Sequence, residues 1–369
     1  MSTFTRLSLI QFRNYTQATY RFDKRIVAIA GPNGSGKTNL LDAIYYLCFT
    51  RSYFNRPDSK NAQHGMEGFR LESNIQDGAG SPHQSDISCV VRPGGKKEFL
   101  FDQVPYERFS EHIGRIPAIM IAPDDAILIT GGSEERRKFA DQVLSQTDYD
   151  YLCLLIQYNK ILQQRNALLK SGQTITQMEG VLQVLDQQLS HVATPIFEKR
   201  KAFFAGFIPE VITQYQAIAG HETLEALQLD FQSQLLTSTL AELLHNSQQR
   251  DVMLQRTTKG IHRDDLNITL DNQPFKTLAS QGQRKSLLFA LKLAAYYYIA
   301  RQKSNPPVLL LDDVFEKLDQ QRMLNLLSQV STRIKGQVFI TDTHSERLKA
   351  AFDQLAEPYQ LIELQAPDE

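Results

Sequence analysis

The 369-residue chain lacks several features that would assign it to a class at once. No stretch approaches the ~20 uncharged apolar residues of a membrane span. The nearest, LLFALKLAAYYYIA, is shorter and is interrupted by Lys292. The opening MSTFTRLSLIQFRNY has no basic segment followed by an apolar core, so no secretory signal and no membrane partner are expected. Cysteine is scarce: Cys48, Cys89 and Cys153 are far apart and odd in number. They fit neither a metal spacing nor a disulfide framework, which points to a reducing cytoplasm. An excess of charge is missing too, since 40 Lys+Arg and 41 Asp+Glu leave a formal net charge of −1. Composition therefore advertises no nucleic-acid partner, and a basic surface would have to be a local patch or one built by dimerisation. Internal repeats and low-complexity tracts are absent. The remainder is ordinary for a globular protein, with 42% hydrophobic and 22% charged residues and a length that suggests two or three domains.

Three strands are expected in the first thirty residues. LSLIQF and ATYRF alternate with period two, and RIVAIAG is a continuous apolar run that ends in glycine. A helix follows over residues 36–48. Short alternating runs between residues 69 and 101, broken by DGAGSP and RPGGKK, read as a small antiparallel sheet. Helix formers dominate from residue 124 to about residue 249. YLCLLIQYNKILQQRNALLK keeps Leu155, Tyr158, Leu162 and Leu169 at helical spacing. Strand character returns at LNITLDNQPF, and a long helix over residues 283–303 stops at NPP. VLLLDD is a buried strand, QQRMLNLLSQVS a helix and GQVFITDT another strand. Strands alternating with helices at both ends of the chain imply one parallel α/β sheet assembled from two halves. The final QAPDE is expected to fray.

Residues 31–38, GPNGSGKT, satisfy G-x-x-x-x-G-K-[ST] between a buried strand and a helix. Gly31, Gly34 and Gly36 let backbone N–H groups of the loop, including those of Asn33, Ser35 and Asn39 at its edges, turn toward a phosphate. The helix N-terminus adds its partial positive charge. Lys37 suits the β- and γ-phosphates and the Thr38 hydroxyl suits Mg2+, so ATP with Mg2+ is the expected ligand. VLLLDD delivers two carboxylates to a strand end. Asp312 suits a water-mediated Mg2+ contact and Asp313 a general base, although an aspartate at a strand end is also a common helix cap. Downstream of the loop, SQGQRK places Ser280, Gly282 and Gln283 ahead of a long helix. Alone, this is a capped helix start. In this order of motifs it resembles the signature of ABC-type ATPase heads, in which the serine and its helix N-terminus reach the γ-phosphate held by a second subunit.

The chain as a whole resembles the RecF family of bacterial DNA-repair ATPases. LSLIQFRNY is similar to the family's opening strand with its Arg-Asn pair, here Arg13 and Asn14. PDDAILITGGSEERRKFAD resembles its proline-acid, glycine and double-arginine motif at Pro123, Asp124, Gly132, Arg136 and Arg137. YNKILQQRNALL resembles a helical signature at Tyr158, Gln164, Arg165, Asn166 and Leu168. GIHRDDL, SQGQRK and LLLDDVFEKLD complete the set. Two positions depart from the family pattern: Ile261 stands where proline is usual, and Lys317 where glutamate is frequent, which bears on the cross-dimer contacts of that loop. The resemblance implies an α/β fold: an ABC-type P-loop ATPase head, lobe I, with a parallel sheet plus an antiparallel β-subdomain. An all-helical lobe II is inserted, without a long coiled coil. Lobe I comprises residues 1–123 and 251–369, and lobe II residues 124–250. The insertion lacks sustained heptads, which independently excludes a coiled-coil arm. The resemblance further implies an ATP-dependent homodimer that binds double-stranded, gapped or junction DNA, partners RecO and RecR in loading recombinase, and slow, DNA-stimulated, dimer-dependent hydrolysis.

Several residues keep two readings. His344, just past QVFITDT, stands near the switch histidine of ABC-type heads or is an exposed loop residue. Arg13 and Asn14 touch nucleotide or form a turn with a solvated arginine. His262 and Arg263 face nucleotide or a dimer partner, or Arg263 pairs with Asp264 or Asp265. Arg51, Arg56, Lys60, Lys96, Lys97, Arg136, Arg137 and Arg165 are candidates for DNA contact or a solvated face. Tyr296, Tyr297 and Tyr298 read as helix packing or a base-stacking platform. A transporter ATPase subunit predicts a shorter spacing between loop and signature. A RecF-like defence ATPase predicts an appended nuclease domain, for which the chain beyond its acidic strand leaves no room.

Overall fold

A computed structural model describes residues 2–54, 56–77, 84–219, 227–313, 320–355 and 357–365. The chain divides into two compact units. Unit 1 comprises Met1–Asp125, Gln214–His221 and Lys285–Glu369, and unit 2 comprises Ala126–Thr213 and Glu222–Arg284. Lys317 and residues 366–369, expected to fray, lie outside the described residues. Among the described residues no helix is long and apolar enough to cross a membrane.

Unit 1 contains two sheets. The expected N-terminal strands are present as β1 (Ser2–Phe12), β2 (Tyr15–Arg21) and β3 (Ile26–Ala30). β1 and β2 join β4 (Phe69–Asp77), β5 (Gln84–Val91), β6 (Lys97–Phe101) and β7 (Val104–Pro105) in an antiparallel sheet of order β2-β1-β4-β5-β6-β7. β3 belongs to a parallel sheet with β8 (Ala118–Ile121), β12 (Val308–Leu311), β13 (Val338–Asp342) and β14 (Tyr359–Glu363), of order β14-β3-β13-β12-β8. β3, β8, β12 and β13 are buried throughout, as continuous apolar strands of a covered parallel sheet should be. Their register matters most. Asp342 is level with Ala30, and Leu311 with Ile340, so the C-terminal ends of β3, β13 and β12 lie side by side. Ligands of open α/β sheets bind at such an edge.

Helix α1 (Lys37–Phe49) leaves β3 through the 31–38 loop. Its sequence, KTNLLDAIYYLCF, is apolar nearly all round, the pattern of a helix enclosed on every side. It packs on strands of both sheets, and one core joins Phe4, Leu9 and Phe12 of β1 with Leu40, Ile44 and Leu47 of α1 and Val27, Leu310 and Phe339 of the parallel sheet. Phe339 meets Phe22 edge-on with ring centroids 4.9 Å apart. Each such fully buried side chain contributes about 1.5–3 kcal/mol. Unit 1 also holds α9 (Gln320–Thr332), α10 (Ser345–Leu355) and most of α8 (Gln281–Gln302). Lys292, the residue that interrupts the apolar run of α8, is itself buried. Its ammonium donates to the Met120 carbonyl at 2.8 Å and the Tyr53 hydroxyl at 2.9 Å, and pairs with Asp125 at 3.1 Å. Tyr296 is buried packing, its hydroxyl accepting from the Gly336 N–H.

Unit 2 carries α2 (Ile127–Thr130), α3 (Ser133–Thr147), α4 (Tyr149–Leu169), most of α5 (Ile175–Ala219), α6 (Leu240–Leu254) and α7 (Phe275–Leu278). Among its described residues the insertion is helical as expected except for one strand, β9 (Leu227–Gln232), which pairs with β10 (Asp265–Leu270). β11 (Gln273–Pro274) completes a three-stranded sheet. That pairing explains why unit 2 runs on to residue 284, whereas the sequence suggested a return to lobe I at residue 251. Residue 251 lies inside α6, and β10 is committed to β9.

In unit 1, His112 is fully buried. Its Nε2–H donates to the Leu47 carbonyl at 2.8 Å, and Nδ1 accepts from the Tyr106 hydroxyl at 3.1 Å. Burial pushes the imidazole down to about 4, opposed by the Leu47 hydrogen bond. The unfolded group takes a proton near pH 6.5 and the folded one only near pH 4. Its stabilising contribution is therefore complete above pH 6.5 and is lost as the pH falls toward 4, by up to about 3 kcal/mol. Urea unfolding at pH 7 and pH 5 checks this. The expected result is a smaller difference in midpoint between the two pH values for His112→Gln than for the wild-type chain.

Candidate active site

The strand-end edge of unit 1 gathers the residues of the 31–38 loop and the acidic strand end. The 31–38 loop leaves β3 at Ala30, with the Gly31 N–H donating to the Asp342 carbonyl of β13 at 3.3 Å. A Cβ on Gly31 would stand 2.7 Å from the Leu364 carbonyl oxygen, so only glycine fits there. Gly36 has φ 99°, in the left-handed region, and its place is closed by Asn14 and Tyr15. Lys37 is only 4% exposed. Its ammonium spans the loop, donating to the Gly31 carbonyl at 2.8 Å and the Pro32 carbonyl at 3.1 Å. The Ser35 hydroxyl is buried without a hydrogen-bond partner, an orphan donor inside the loop. Asn33 and Gly34 are exposed at the loop tip, and Thr38 and Asn39 open α1 half-buried.

The acidic strand end meets this loop directly. The Thr38 hydroxyl donates to Asp312 Oδ1 at 2.9 Å. That uses the single proton of the hydroxyl and leaves its lone pairs for a cation. Asp312 is 2% exposed and also accepts from the Thr341 hydroxyl at 2.9 Å. Burial pushes its carboxyl up to about 6, opposed by the Thr341 and Thr38 hydrogen bonds and by Lys37, and reinforced by the neighbouring Asp313 charge. Asp313 follows with φ 43°. The donor set of hydroxyl and carboxylate oxygens is hard, as Mg2+ requires when it completes its shell with phosphate oxygens and water. Loop, lysine, orphan hydroxyl and paired oxygens thus fit a magnesium–nucleoside triphosphate.

His344 lies past the end of β13 and is exposed. Its backbone N–H donates to Asp342 Oδ1 at 2.8 Å, and the Asp342 carboxylate also takes Arg347. His344 therefore stands at the same sheet edge as the loop.

Arg13 departs from both of its readings. It is neither solvated nor aimed at the loop. Its guanidinium is buried against Asp42 of α1, and it donates to the Ser52 hydroxyl at 2.9 Å. Asp42 also accepts from the Tyr53 N–H at 2.7 Å. Asn14 instead accepts from the Asn39 side-chain amide at 2.7 Å, beside the loop. Tyr15, which the sequence reading passed over, donates its hydroxyl to the Gly36 carbonyl at 3.1 Å. Its place directly after the Arg-Asn pair was the available signal.

Ser280, Gly282 and Gln283 belong to unit 2. The Ser280 N–H donates to Gln283 Oε1 at 2.6 Å, and the Gln283 N–H to Ser280 Oγ at 3.2 Å, a reciprocal capping box on the 22-residue α8. Ser280 itself is exposed.

Elsewhere in unit 2, three motifs converge on one turn. His262 is held by both ring nitrogens, with Nδ1 2.7 Å from the Tyr158 hydroxyl and Nε2 3.1 Å from the Thr257 carbonyl. Asn166 Oδ1 accepts from the Thr257 N–H at 2.7 Å. Arg136 forks onto Asp265 at 2.7 and 2.9 Å, and Arg137 donates to the Asp264 carbonyl at 2.6 Å. Asp264 pairs with Arg200, so neither Asp264 nor Asp265 pairs with Arg263, which is exposed. Arg165 is 0% exposed and pairs with Asp186 and Asp251, which removes it from the DNA-contact candidates. Arg136, Arg137 and Lys97 are likewise engaged internally, Lys97 with Asp58 at 2.9 Å. Arg51, Arg56, Lys60 and Lys96 remain on the surface.

Comparison with known proteins places the chain in a family. Residues 3–361 match the family model described as the RecF/RecN/SMC N terminal domain. A DNA replication and repair protein RecF from Flavobacterium johnsoniae is 41% identical over 360 residues, covering 97% of this chain and 99% of the relative. Among solved structures, the recombination mediator protein RecF-ATP of the RecFOR pathway superposes with a TM-score of 0.83 at 25% identity, covering 93% of this chain and 92% of that one. The Smc head domain of Pyrococcus furiosus shares the fold at a TM-score of 0.55 and 14% identity, covering 95% of this chain and 92% of that one.

The Arg13 pairing generates a discriminating test. Arg13→Ala leaves the Asp42 carboxylate buried without its partner, which costs roughly 3–5 kcal/mol. Denaturant unfolding is expected to show that loss. Unchanged stability with weakened nucleotide binding would instead make Arg13 a ligand contact.

Proposed function

The chain belongs to the RecF family, whose members have ABC-type ATPase heads, and from that premise we propose that it is an ATP-dependent DNA-binding protein of recombinational repair and replication. It binds ATP with Mg2+ in the 31–38 loop and dimerises on the nucleotide. It holds double-stranded, gapped or junction DNA, and works in the cytoplasm with RecO and RecR to load recombinase. The observation that carries the reading is the Thr38–Asp312 hydrogen bond at the shared strand-end edge, with Lys37 reaching across the adjacent loop. The RecF-ATP relative, with its place in the RecFOR pathway, supports ATP as ligand and RecO and RecR as partners.

The proposed roles are as follows. Lys37 exchanges its two loop carbonyls for phosphate oxygens, and the backbone amides of residues 33–38 with the Ser35 hydroxyl complete the phosphate cradle. Thr38 and Asp312 would hold Mg2+, which would neutralise phosphate charge. Asp313 accepts a proton from the attacking water. Asn14, packed on Gly36 and Asn39, braces the loop, and His344 monitors the γ-phosphate from the β13 end. Ser280, Gly282 and Gln283 of a second copy present the exposed, capped N-terminus of α8 to the phosphate. A site shared in this way turns over only while the dimer persists, so hydrolysis is expected to be slow, dimer-dependent and stimulated by DNA that holds two copies together. Arg51, Arg56, Lys60 and Lys96 are the surface cations available to the DNA backbone.

Light scattering of the purified chain with and without ATP tests the switch. Lys37→Met is expected to abolish ATP-dependent dimers, and Asp313→Asn to prolong them. Ser280→Arg is expected to bind ATP as a monomer yet not to dimerise. ATP-dependent dimers unchanged by Lys37→Met would overturn the proposal. For DNA, binding to gapped, duplex and single-stranded oligonucleotides across a salt series is expected to show a steep salt slope only with ATP.

A further inference from the structure

We propose that Thr341, on β13, is a positioning residue for hydrolysis, its hydroxyl fixing the turn that joins Asp312 to Asp313. The inference rests on the ATPase reading above, and it names a residue that belongs to neither the phosphate loop nor the acidic strand.

The register sets the geometry. β12 and β13 run parallel with Leu311 level with Ile340, so the residue after each, Asp312 and Thr341, come side by side. Thr341 is 0% exposed. Its hydroxyl has one proton and two lone pairs. The proton goes to Asp312 Oδ1 at 2.9 Å, in preference to the Leu311 carbonyl at 3.5 Å, because the carboxylate is the closer and the charged acceptor. A lone pair accepts the Asp313 N–H at 2.8 Å. One side-chain oxygen thus grips both residues of the acidic pair.

That grip falls where the backbone needs it. Asp313 has φ 43°, a conformation that residues with a Cβ adopt sparingly and keep only when their surroundings over-determine it. A strand continuing past Asp312 would place Asp313 by simple alternation. The left-handed residue breaks that alternation and sets the direction of its carboxylate. The same hydroxyl orients Asp312 Oδ1, which in turn receives the Thr38 proton at 2.9 Å. Valine would fill the same volume within the buried β13. Threonine adds only the oxygen, and both of its roles are spent on the two aspartates.

The test compares Thr341→Val, which keeps the shape and removes the hydroxyl, with Thr341→Ser, which keeps the hydroxyl. Steady-state ATP hydrolysis with DNA is expected to show kcat lowered roughly tenfold in Thr341→Val, the loss of about one buried hydrogen bond, with KM for ATP nearly unchanged. Thr341→Ser is expected to restore most of the rate. A Thr341→Val rate equal to wild type, or an equal loss in both variants, overturns the proposal. Should Thr341→Val not fold, Thr341→Ala against Thr341→Ser makes the same comparison. Crystal structures of the wild-type and variant chains supply a readout independent of activity. Asp313 is expected to leave the left-handed region when the hydroxyl is removed, and its retention there overturns the inference. A wild-type chain that neither binds nor hydrolyses ATP refutes the ATPase reading instead, and the crystal comparison still decides whether Thr341 holds the turn.

Discussion

One hydrogen bond, from the Thr38 hydroxyl to Asp312 Oδ1, joins residues 274 positions apart, and the rest of unit 1 is arranged so that it can form. The loop comes from the N-terminal half of the parallel sheet and the aspartate from the C-terminal half. β13 lies between them, paired with β3 on one side and β12 on the other. It brings their ends level and contributes Thr341, Asp342 and the chain leading to His344. The insertion between the halves therefore has to leave and rejoin the sheet without disturbing this register. Helix α1, apolar nearly all round and packed on both sheets, makes the register costly to shift, because a slip would uncover core on two faces.

The parts visible in the sequence were those whose local pattern carries their chemistry. GPNGSGKT, the apolar run before Asp312 and the capped start of α8 each announce themselves within a dozen residues. The parallel sheet of two halves follows from the alternation of strands and helices. What stayed hidden depends on partners distant in the chain. Arg13 and Arg165 look like surface charge until Asp42, Asp186 and Asp251 are placed beside them. β9 was submerged in a helix-rich stretch, although LQLDFQ alternates, because a six-residue pattern carries little weight until β10 pairs with it. β8 is four buried residues, too short for periodicity to separate strand from helix. Thr341 reads as one more strand residue, since its importance lies entirely in what stands opposite.

The motifs of unit 2 gain a physical meaning from the same comparison. The double arginine, the helical signature and the His-Arg-Asp turn are separate in sequence, yet Arg136, Arg137, Tyr158 and Asn166 all act on residues 257–265. Behind them Arg200 bonds Asp141, Asp264 and the Ile261 carbonyl. Buried charge of this kind is tolerated because each cation faces a carboxylate, and removing one member strands the others. The outcome is a turn that leaves Arg263 exposed, while Arg136, Arg137 and Arg200 are engaged with Asp265, Asp264 and Asp141.

We propose that the 31–38 loop is half of a site, completed by Ser280 and the α8 N-terminus of a second copy. The most direct measurement mixes the Lys37→Met and Ser280→Arg chains and follows ATP hydrolysis. Each variant alone lacks an intact composite site, whereas the mixed dimer rebuilds one from the loop of the Ser280→Arg chain and the Ser280 of the Lys37→Met chain. The mixture is expected to regain activity that neither variant shows alone. Activity no greater than the sum of the separate variants, or a Ser280→Arg chain that hydrolyses ATP at the wild-type rate by itself, would contradict it.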